Sequence, residues 1–176
     1  MNEKSEMENQ CLHRGGHLAL HCLNGWEYAT RVNASGVVGI IATTDENELI
    51  LVVQFRTPVS ASVLELPAGL VGDVSPETFD EAARREILEE TGYVAQEIEQ
   101  LFTGPSSAGL TDEVVRIVRA KGLSLSGEGG GVDGESILVH KVPLVDLERF
   151  IADFEQRHGL VDFKVRLASA LLKGVS

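Results

Sequence analysis

Short apolar runs alternate with turn-forming segments along most of the chain, which is the pattern of a protein rich in β-strands. The first two runs, Leu18–Leu23 and Trp26–Val32, are separated by Asn24-Gly25. This dipeptide favours a two-residue hairpin turn, so the pattern predicts an opening β-hairpin. Further strands are predicted at Gly36–Ala42, Glu48–Phe55, Ser62–Leu66, Val94–Phe102, Val114–Ala120 and Ile137–Val142.

Three segments have the spacing of apolar residues that is typical of helices. The central one runs to Gly92, and Ser75-Pro76-Glu77 before it predicts a start with Ser75 as N-cap and Pro76 in the first turn. Two more helices are predicted at Leu144–Arg157 and Phe163–Leu172. Strands that outnumber helices around one central helix indicate an α/β fold with a mixed sheet between helical layers.

The central helix carries its acidic residues on its apolar face. At about 100° per residue, Glu86 and Glu90 fall within about 40° of each other, and Ala83 and Phe79 share that side. Two like charges four residues apart repel, so a cation is expected beside them. With Glu89, these carboxylates offer hard oxygen ligands that suit Mg²⁺ or Mn²⁺ better than zinc. The alternative is an ordinary charged surface helix.

Composition fits one globular domain. The 176 residues are 43% hydrophobic and 24% charged, and the polar start predicts a loose tail over 1–10 before a domain over 11–176. No apolar run approaches the roughly 20 residues of a membrane span, and no secretory leader is evident. We therefore expect a cytoplasmic protein.

The formal net charge of −12 argues against nucleic acid and anionic membranes as partners. An anionic small molecule stays compatible with it if arginines or a metal offset the field at the site. Cys11 and Cys22 lie near several histidines, but no CxxC spacing is present, so reduced thiols are expected rather than a zinc site or a disulfide.

The stretch Arg85-Glu86-Ile87-Leu88-Glu89-Glu90-Thr91-Gly92 resembles the Nudix box, in which Arg-Glu-aliphatic-x-Glu-Glu-x-Gly follows a glutamate after seven residues. Glu77 occupies the position of that glutamate. Five residues normally separate the family glycine from this glutamate, whereas seven residues separate Gly69 from Glu77. We interpret this as a two-residue insertion in the loop from Leu70 to Ser75, with Gly69 keeping the glycine's role.

The resemblance implies a Nudix α/β/α sandwich that hydrolyses nucleoside diphosphates linked to another group. By the same resemblance Mg²⁺, with Mn²⁺ as a substitute, is held by Glu86, Glu90 and Glu89 and by the backbone carbonyl of Ala68. The spacing itself places Arg85 four residues from both Glu81 and Glu89, so Arg85 can brace one carboxylate while the others face the ion. An ion held there would activate water and neutralise the diphosphate.

Three flanking segments are similar to those of ADP-ribose pyrophosphatases and nucleotide-sugar hydrolases. They are Glu65-Leu66-Pro67-Ala68-Gly69, Val53-Gln54-Phe55-Arg56, and Ser106 to Glu113, where Ala108 replaces a usual proline. The resemblance makes Arg56, Gly109 and Glu113 candidate substrate-binding residues. Aligning Glu135 to His140 with the subgroup's Glu-x-Ile-x-Val-His pattern makes Glu135 a further metal ligand.

Candidate catalytic residues are thus Glu89, Asp133, Glu135 and Arg85. Asp133 stands where a general base can lie, with Glu128 as its competitor, on a glycine-rich segment from Gly127 to Gly134 that is expected to be mobile. A solvated acidic loop is the alternative.

The remaining substrate candidates lie in the hairpin over 11–35. Trp26, the single tryptophan, could stack on a base beside Glu27, or pack in the core or in a dimer. Arg31 is a candidate for binding the diphosphate or the terminal sugar, and Arg56 is preferred over it for this role. Family resemblance also suggests a homodimer with exchanged N-terminal strands.

The sequence therefore predicts hydrolysis of ADP-ribose or a nucleoside diphosphate sugar to a nucleoside monophosphate and a sugar phosphate. Two alternatives stay open. One is Nudix chemistry on a dinucleoside polyphosphate, a coenzyme or an oxidised nucleotide. The other is a non-catalytic sensor of nucleotide sugars, against which the intact acidic box argues.

Overall fold

The computed structural model describes residues 9–73, 75–131 and 136–173. Residues 1–8, which make up most of the predicted tail, lie outside this range, as do Val74, 132–135 and 174–176. The predictions that concern Asp133 and Glu135 therefore fall outside the described residues.

Eleven strands and three helices occupy the described parts of the chain. The strands are β1 Asn9–Arg14, β2 Leu18–Leu23, β3 Trp26–Arg31, β4 Gly36–Ala42, β5 Glu48–Arg56, β6 Ala61–Glu65, β7 Ala68–Val71, β8 Tyr93–Pro105, β9 Val114–Leu125, β10 Leu138–Pro143 and β11 Gly159–Val161. The helices are α1 Phe79–Thr91, α2 Leu147–Arg157 and α3 Phe163–Lys173. Short 3-10 turns at Thr57–Val59 and Leu144–Asp146 join neighbouring elements.

The strands form three sheets. Two of them have four strands each, in the orders β7-β4-β9-β8 and β10-β5-β6-β11. Each contains one parallel pair, β4 with β9 and β6 with β11, among antiparallel pairs. The third sheet, β1-β2-β3, is antiparallel and is built from the N-terminal strands alone.

The core lies in two layers on opposite faces of the strands. Residues of β4 alternate between them: Val38 and Ile40 face α1, whereas Ile41 faces α2 and α3. Ile87 of α1 belongs to the first layer, and Ile151 of α2 to the second. Helices therefore cover both faces, and the predicted α/β sandwich with mixed sheets is confirmed.

The Asn24-Gly25 turn joins β2 to β3 as predicted. Both residues have positive φ, 52° and 83°, which matches the two-residue turn that this dipeptide favours. Strand β4 and strand β2 also have the predicted bounds.

The predicted start of the central helix is wrong. Helix α1 begins at Phe79, and Thr78 rather than Ser75 is its N-cap. Thr78 and Glu81 form a capping box, in which each side chain accepts from the other residue's backbone amide. This box satisfies the first-turn donors three residues later than Ser75 would, and it leaves Glu77 outside the helix. Gly92, at φ 76°, ends the helix as predicted.

Other differences involve short or glycine-containing elements. Strands β1, β7 and β11 were not expected, and α2 begins at Leu147 because the residues from Leu144 form a 3-10 turn first. Strands β8 and β9 are longer than predicted because they pair along most of their length. In the described part of the chain, no helix has the length and apolar character needed to cross a bilayer.

Candidate active site

Helix α1 turns three glutamates toward the protein, as its sequence predicts. Glu90 is buried, with 5% of its surface exposed. The Glu86 side chain is 12% exposed and that of Glu89 is 31% exposed. A surface helix would hold these carboxylates in water, so their position indicates a site beneath the helix.

Strand β7 supplies the opposite wall of this site. The Ala68 amide donates a hydrogen bond to Glu90 Oε2 at 3.1 Å. A Cβ atom placed on Gly69 would lie 1.8 Å from both Cδ and Oε1 of Glu86. Gly69 is therefore required for Glu86 to lie against β7.

Arg85 connects the carboxylates. Its guanidinium donates to Glu86 at 2.7 Å, to Glu89 at 3.1 Å and to Glu77 at 2.8 Å. It also donates to the carbonyl oxygen of Leu70 at 3.0 Å. The predicted bracing of Glu89 by Arg85 is present, but Glu81 contacts Thr78 instead.

Burial and the Arg85 guanidinium shift the pKa of Glu86 in opposite directions. Loss of water raises the pKa of Glu86, and the neighbouring Arg85 partly offsets that rise. For Glu77, the hydrogen bonds from Arg85 dominate and lower its pKa. Glu77, Glu86 and Glu89 raise the pKa of Arg85, so this residue stays a cation at any physiological pH.

The loop between β7 and α1 is the segment in which a two-residue insertion is predicted. Gly72 has φ 78°, and its amide donates to Glu77 Oε1 at 3.1 Å. Glu77 therefore binds the loop backbone and Arg85 at the same time. This contact was not predicted, since the sequence placed Glu77 inside the helix.

A divalent cation fits the donor chemistry of this region. Carboxylate oxygens of Glu86, Glu89 and Glu90 are the ligands that hard divalent ions prefer, and Gly69 allows the Glu86 carboxylate to lie directly against β7. Within residues 9–73, 75–131 and 136–173, no three acidic, histidine or cysteine side chains are grouped closely enough to hold an ion unaided. Glu135, the remaining predicted ligand, lies outside the described residues.

The predicted substrate arginines are both ion-paired. Arg31 pairs with Glu113, so these two candidates from distant parts of the chain meet. Arg56 donates from Nε to the Glu65 carboxylate at 3.0 Å and 3.1 Å. Glu65, 7% exposed, also accepts from Gln54 at 3.2 Å. Glu65 was not singled out from the sequence, although it opens the segment that leads to Gly69.

A small pocket of about 140 Å³ lies beside the Arg31–Glu113 pair. It is lined by Thr30, Arg31, Ala34, Ser35, Gly36, Asp112, Glu113 and Val114. The N-terminal sheet helps to build it, because Ala29 of β3 donates to Leu110 at 2.9 Å and accepts from Asp112 at 3.3 Å.

The other described candidates lie at the surface. Trp26 is 64% exposed, so it is not a core residue of the described chain. Glu27 and Gly109 are also exposed, and a Cβ on Gly109 would meet nothing within 4 Å. Glu128, the competing base, is exposed as well.

Comparison with known proteins adds the family context of this geometry. The family model described as NUDIX domain matches residues 34–162. A solved structure titled as that of an ADP compounds hydrolase superimposes with a TM-score of 0.74 at 19% identity, covering 95% of this chain and 90% of its own. This likeness concerns the fold.

Among curated relatives, the Bacillus methanolicus methanol dehydrogenase activator is 37% identical over 61% of the chain and 57% of its own length. The Bacillus subtilis (strain 168) ADP-ribose pyrophosphatase is 34% identical, covering 70% of the chain and 66% of its own length. The GDP-mannose pyrophosphatase of Klebsiella pneumoniae is 32% identical, covering 71% and 66%. The matched region is thus less than two thirds of the length of each of these three relatives.

Proposed function

The chain belongs to the NUDIX family, and we propose that it hydrolyses the diphosphate linkage of ADP-ribose or of a nucleoside diphosphate sugar. The products are a nucleoside monophosphate and a sugar phosphate. The names of two relatives, an ADP-ribose pyrophosphatase and a GDP-mannose pyrophosphatase, support this class of substrate.

One observation carries the proposal: on the inner face of α1, the buried Glu90 and the largely covered Glu86, 12% exposed, lie against Ala68 and Gly69. Buried carboxylates are costly unless something compensates their charge. Arg85 compensates Glu86 and Glu89 in part, and a divalent cation would complete the compensation.

In this proposal Mg²⁺ is held by Glu86, Glu89 and Glu90, together with the Ala68 backbone carbonyl and Glu135. When bound, such an ion activates water and neutralises negative charge on the diphosphate. NUDIX hydrolases generally need a divalent metal. Mg²⁺ is our choice within that class because carboxylate ligands suit it, and Mn²⁺ is expected to substitute.

Arg85 is a positioning residue in this scheme. It holds Glu86 and Glu89 on one side and Glu77 on the other, so the carboxylates approach the ion in a fixed orientation. Fixed orientation matters because small displacements of a ligand cost large factors in rate.

Substrate binding is assigned to the hairpin side of the site. Trp26 offers an exposed ring for stacking on the base, with Glu27 beside it. Arg31, with Glu113 and Gly109 of the facing loop, is proposed to bind the nucleotide beside the pocket. Arg56 is proposed to contact the diphosphate, with Glu65 fixing its guanidinium.

The general base is proposed to be Asp133, with Glu135 as a ligand beside it. Neither residue is among those described, so this part of the proposal depends on sequence resemblance. An Asp133→Ala variant with reduced kcat and little change in KM would support it, because that pattern marks an interaction made in the transition state. Unchanged kcat would transfer the role to Glu128 or Glu89.

A homodimer with exchanged N-terminal strands is also part of the proposal. Supporting it, β1-β2-β3 forms a sheet of its own that joins the pocket, and it exposes Leu18 and Trp26. Cytoplasmic location remains a prediction, with Cys11 and Cys22 both free thiols.

The proposal is tested by a hydrolysis screen over ADP-ribose, nucleoside diphosphate sugars and dinucleoside polyphosphates at fixed Mg²⁺, with products identified by mass. We expect a nucleoside monophosphate and a sugar phosphate in equal amounts. Turnover confined to dinucleoside polyphosphates, coenzymes or oxidised nucleotides would assign another NUDIX substrate. Binding of nucleotide sugars without turnover would favour the alternative that the chain is a non-catalytic sensor of nucleotide sugars.

A second candidate function comes from the relative named methanol dehydrogenase activator, which is 37% identical. In this second proposal, the chain increases the rate of a methanol dehydrogenase. The rate of a purified methanol dehydrogenase, measured with the wild type and with a Glu90→Gln variant, separates the cases. Stimulation by the wild type alone would link activation to hydrolysis at this site.

A further inference from the structure

A glycine-rich strap, residues 126–131, lies across the C-terminal end of helix α1. Its amides donate four hydrogen bonds to backbone carbonyls there. Ser126 and Gly127 donate to Gly92 at 2.8 Å and 3.0 Å, Gly130 donates to Glu90 at 2.8 Å, and Gly131 donates to Glu89 at 3.0 Å. The last two of these bonds are made to the backbone of Glu90 and Glu89, whose side chains belong to the acidic site.

Direct contact between strap and helix requires glycine at specific positions. Gly129 has φ 69°, and a Cβ there would lie 2.5 Å from the Thr91 carbonyl carbon, 2.7 Å from the Gly92 nitrogen and 2.8 Å from the Glu90 oxygen. All three are backbone atoms, which cannot move aside as a flexible side chain can. A Cβ on Gly92 would likewise meet the Gly127 oxygen at 2.3 Å.

The strap also has an electrostatic consequence. The last carbonyls of a helix have no partner within the helix and carry partial negative charge, which disfavours carboxylates nearby. Glu89 and Glu90 stand in this last turn of α1. By donating to their carbonyls, the strap offsets part of that negative potential and fixes the backbone from which both side chains extend.

We propose that Gly129 is a positioning residue: by lacking a side chain, it lets the strap lie on α1 and hold Glu89 and Glu90 ready to bind a divalent cation. This inference rests on the proposed function of the acidic site. Gly130 provides a matched control. It has φ 103°, so alanine is strained there too, yet a Cβ would approach nothing closer than the Ile137 oxygen at 3.9 Å.

The first test is Mn²⁺ affinity by calorimetry, with kcat and KM on the substrate found in the screen, for Gly129→Ala and Gly130→Ala. We expect Gly129→Ala to weaken Mn²⁺ binding and lower kcat by about tenfold or more, with KM changed less than threefold. Gly130→Ala should change each quantity less than threefold. Equal effects of the two variants, or wild-type Mn²⁺ affinity in folded Gly129→Ala, would overturn the inference.

The second test needs no variant and so holds if Gly129→Ala fails to fold. In the wild type, amide hydrogen exchange of Gly130 and Gly131 is measured with and without saturating Mg²⁺, with the remote Val165 amide in α3 as reference. We expect Mg²⁺ to slow the two strap amides at least threefold relative to Val165. If the protein binds Mg²⁺ and turns over substrate but the exchange of the two strap amides is unchanged, this inference is overturned and the proposed function is not affected. Absence of both binding and turnover would instead defeat the proposed function.

Discussion

Glu77 connects two parts of the site through a single side chain, since it accepts from Arg85 and from the Gly72 amide. Its pKa in the folded protein lies below the ordinary 4.5 because Arg85 favours the ionised form. A carboxyl of this kind stabilises the fold above its unfolded pKa, and the contribution is lost as pH falls through the folded pKa. Glu77 should therefore stabilise the protein at neutral pH and cease to do so in acid.

We expect Glu77→Gln to lower the free energy of unfolding by about 1.5–3 kcal/mol at pH 7, the size of a hydrogen bond to a charged group. The difference from the wild type should shrink as pH falls below 4.5, as Glu77 becomes protonated. Urea unfolding of both proteins between pH 7 and pH 3 measures it. A difference that is constant across that range would mean that Glu77 acts through shape and not through its charge.

Helix α1 is the element about which the sequence is most informative, yet the predicted start of the helix is wrong. The inward direction of Glu86 and Glu90 follows from the 3.6-residue period, so it could be predicted. The first residue of the helix does not follow from this period, because Ser75-Pro76 and Thr78 both carry N-cap signals. Glu81 at the third helical position decides for Thr78, since it completes the capping box.

This capping box gives a prediction with an internal control. Thr78→Ala removes the oxygen that accepts from the Glu81 amide and should destabilise the protein by about 1 kcal/mol. Ser75→Ala should change stability by less than about 0.5 kcal/mol, because Ser75 lies outside the helix on the surface. Thermal unfolding of both variants compares them. The opposite order would restore Ser75 as the cap.

Strands β7 and β11 show what sequence patterns miss. Each is short and contains glycine, Gly69 or Gly159, so neither has the β-branched run by which strands are recognised. Both form because partners distant in sequence supply the pairing, β4 for β7 and β6 for β11. The same holds for the Arg31–Glu113 pair, whose members are 82 positions apart.

The layered architecture of the whole molecule was predictable because it follows from the order of strands and helices. The oligomeric state does not follow from that order, because it depends on which apolar side chains are exposed at the surface. On the N-terminal sheet Leu18 and Leu20 lie on one face, 52% and 38% exposed. Two exposed leucines on a sheet of three strands are a reason to expect a second chain to cover them.

We expect the protein at tens of micromolar to have twice the 19.0 kDa mass of one chain by light scattering. Replacing Leu18 and Leu20 by lysine should give the single-chain mass. Leu125→Lys, at a 68% exposed leucine that ends β9, should leave the dimer intact. A wild-type mass of 19.0 kDa would contradict the exchanged-strand dimer.

The central claim is that the inward glutamates of α1 make the chain a metal-dependent hydrolase. The most direct measurement is the initial rate of ADP-ribose hydrolysis with Mg²⁺ for the wild type, Glu90→Gln and Glu97→Gln. Glu97 is a glutamate on β8 whose side chain is 64% exposed, so its variant controls for the chemical change. We expect Glu90→Gln to reduce kcat by at least about 100-fold and Glu97→Gln to change it less than twofold. A folded Glu90→Gln variant that hydrolyses ADP-ribose at the wild-type rate would contradict the claim.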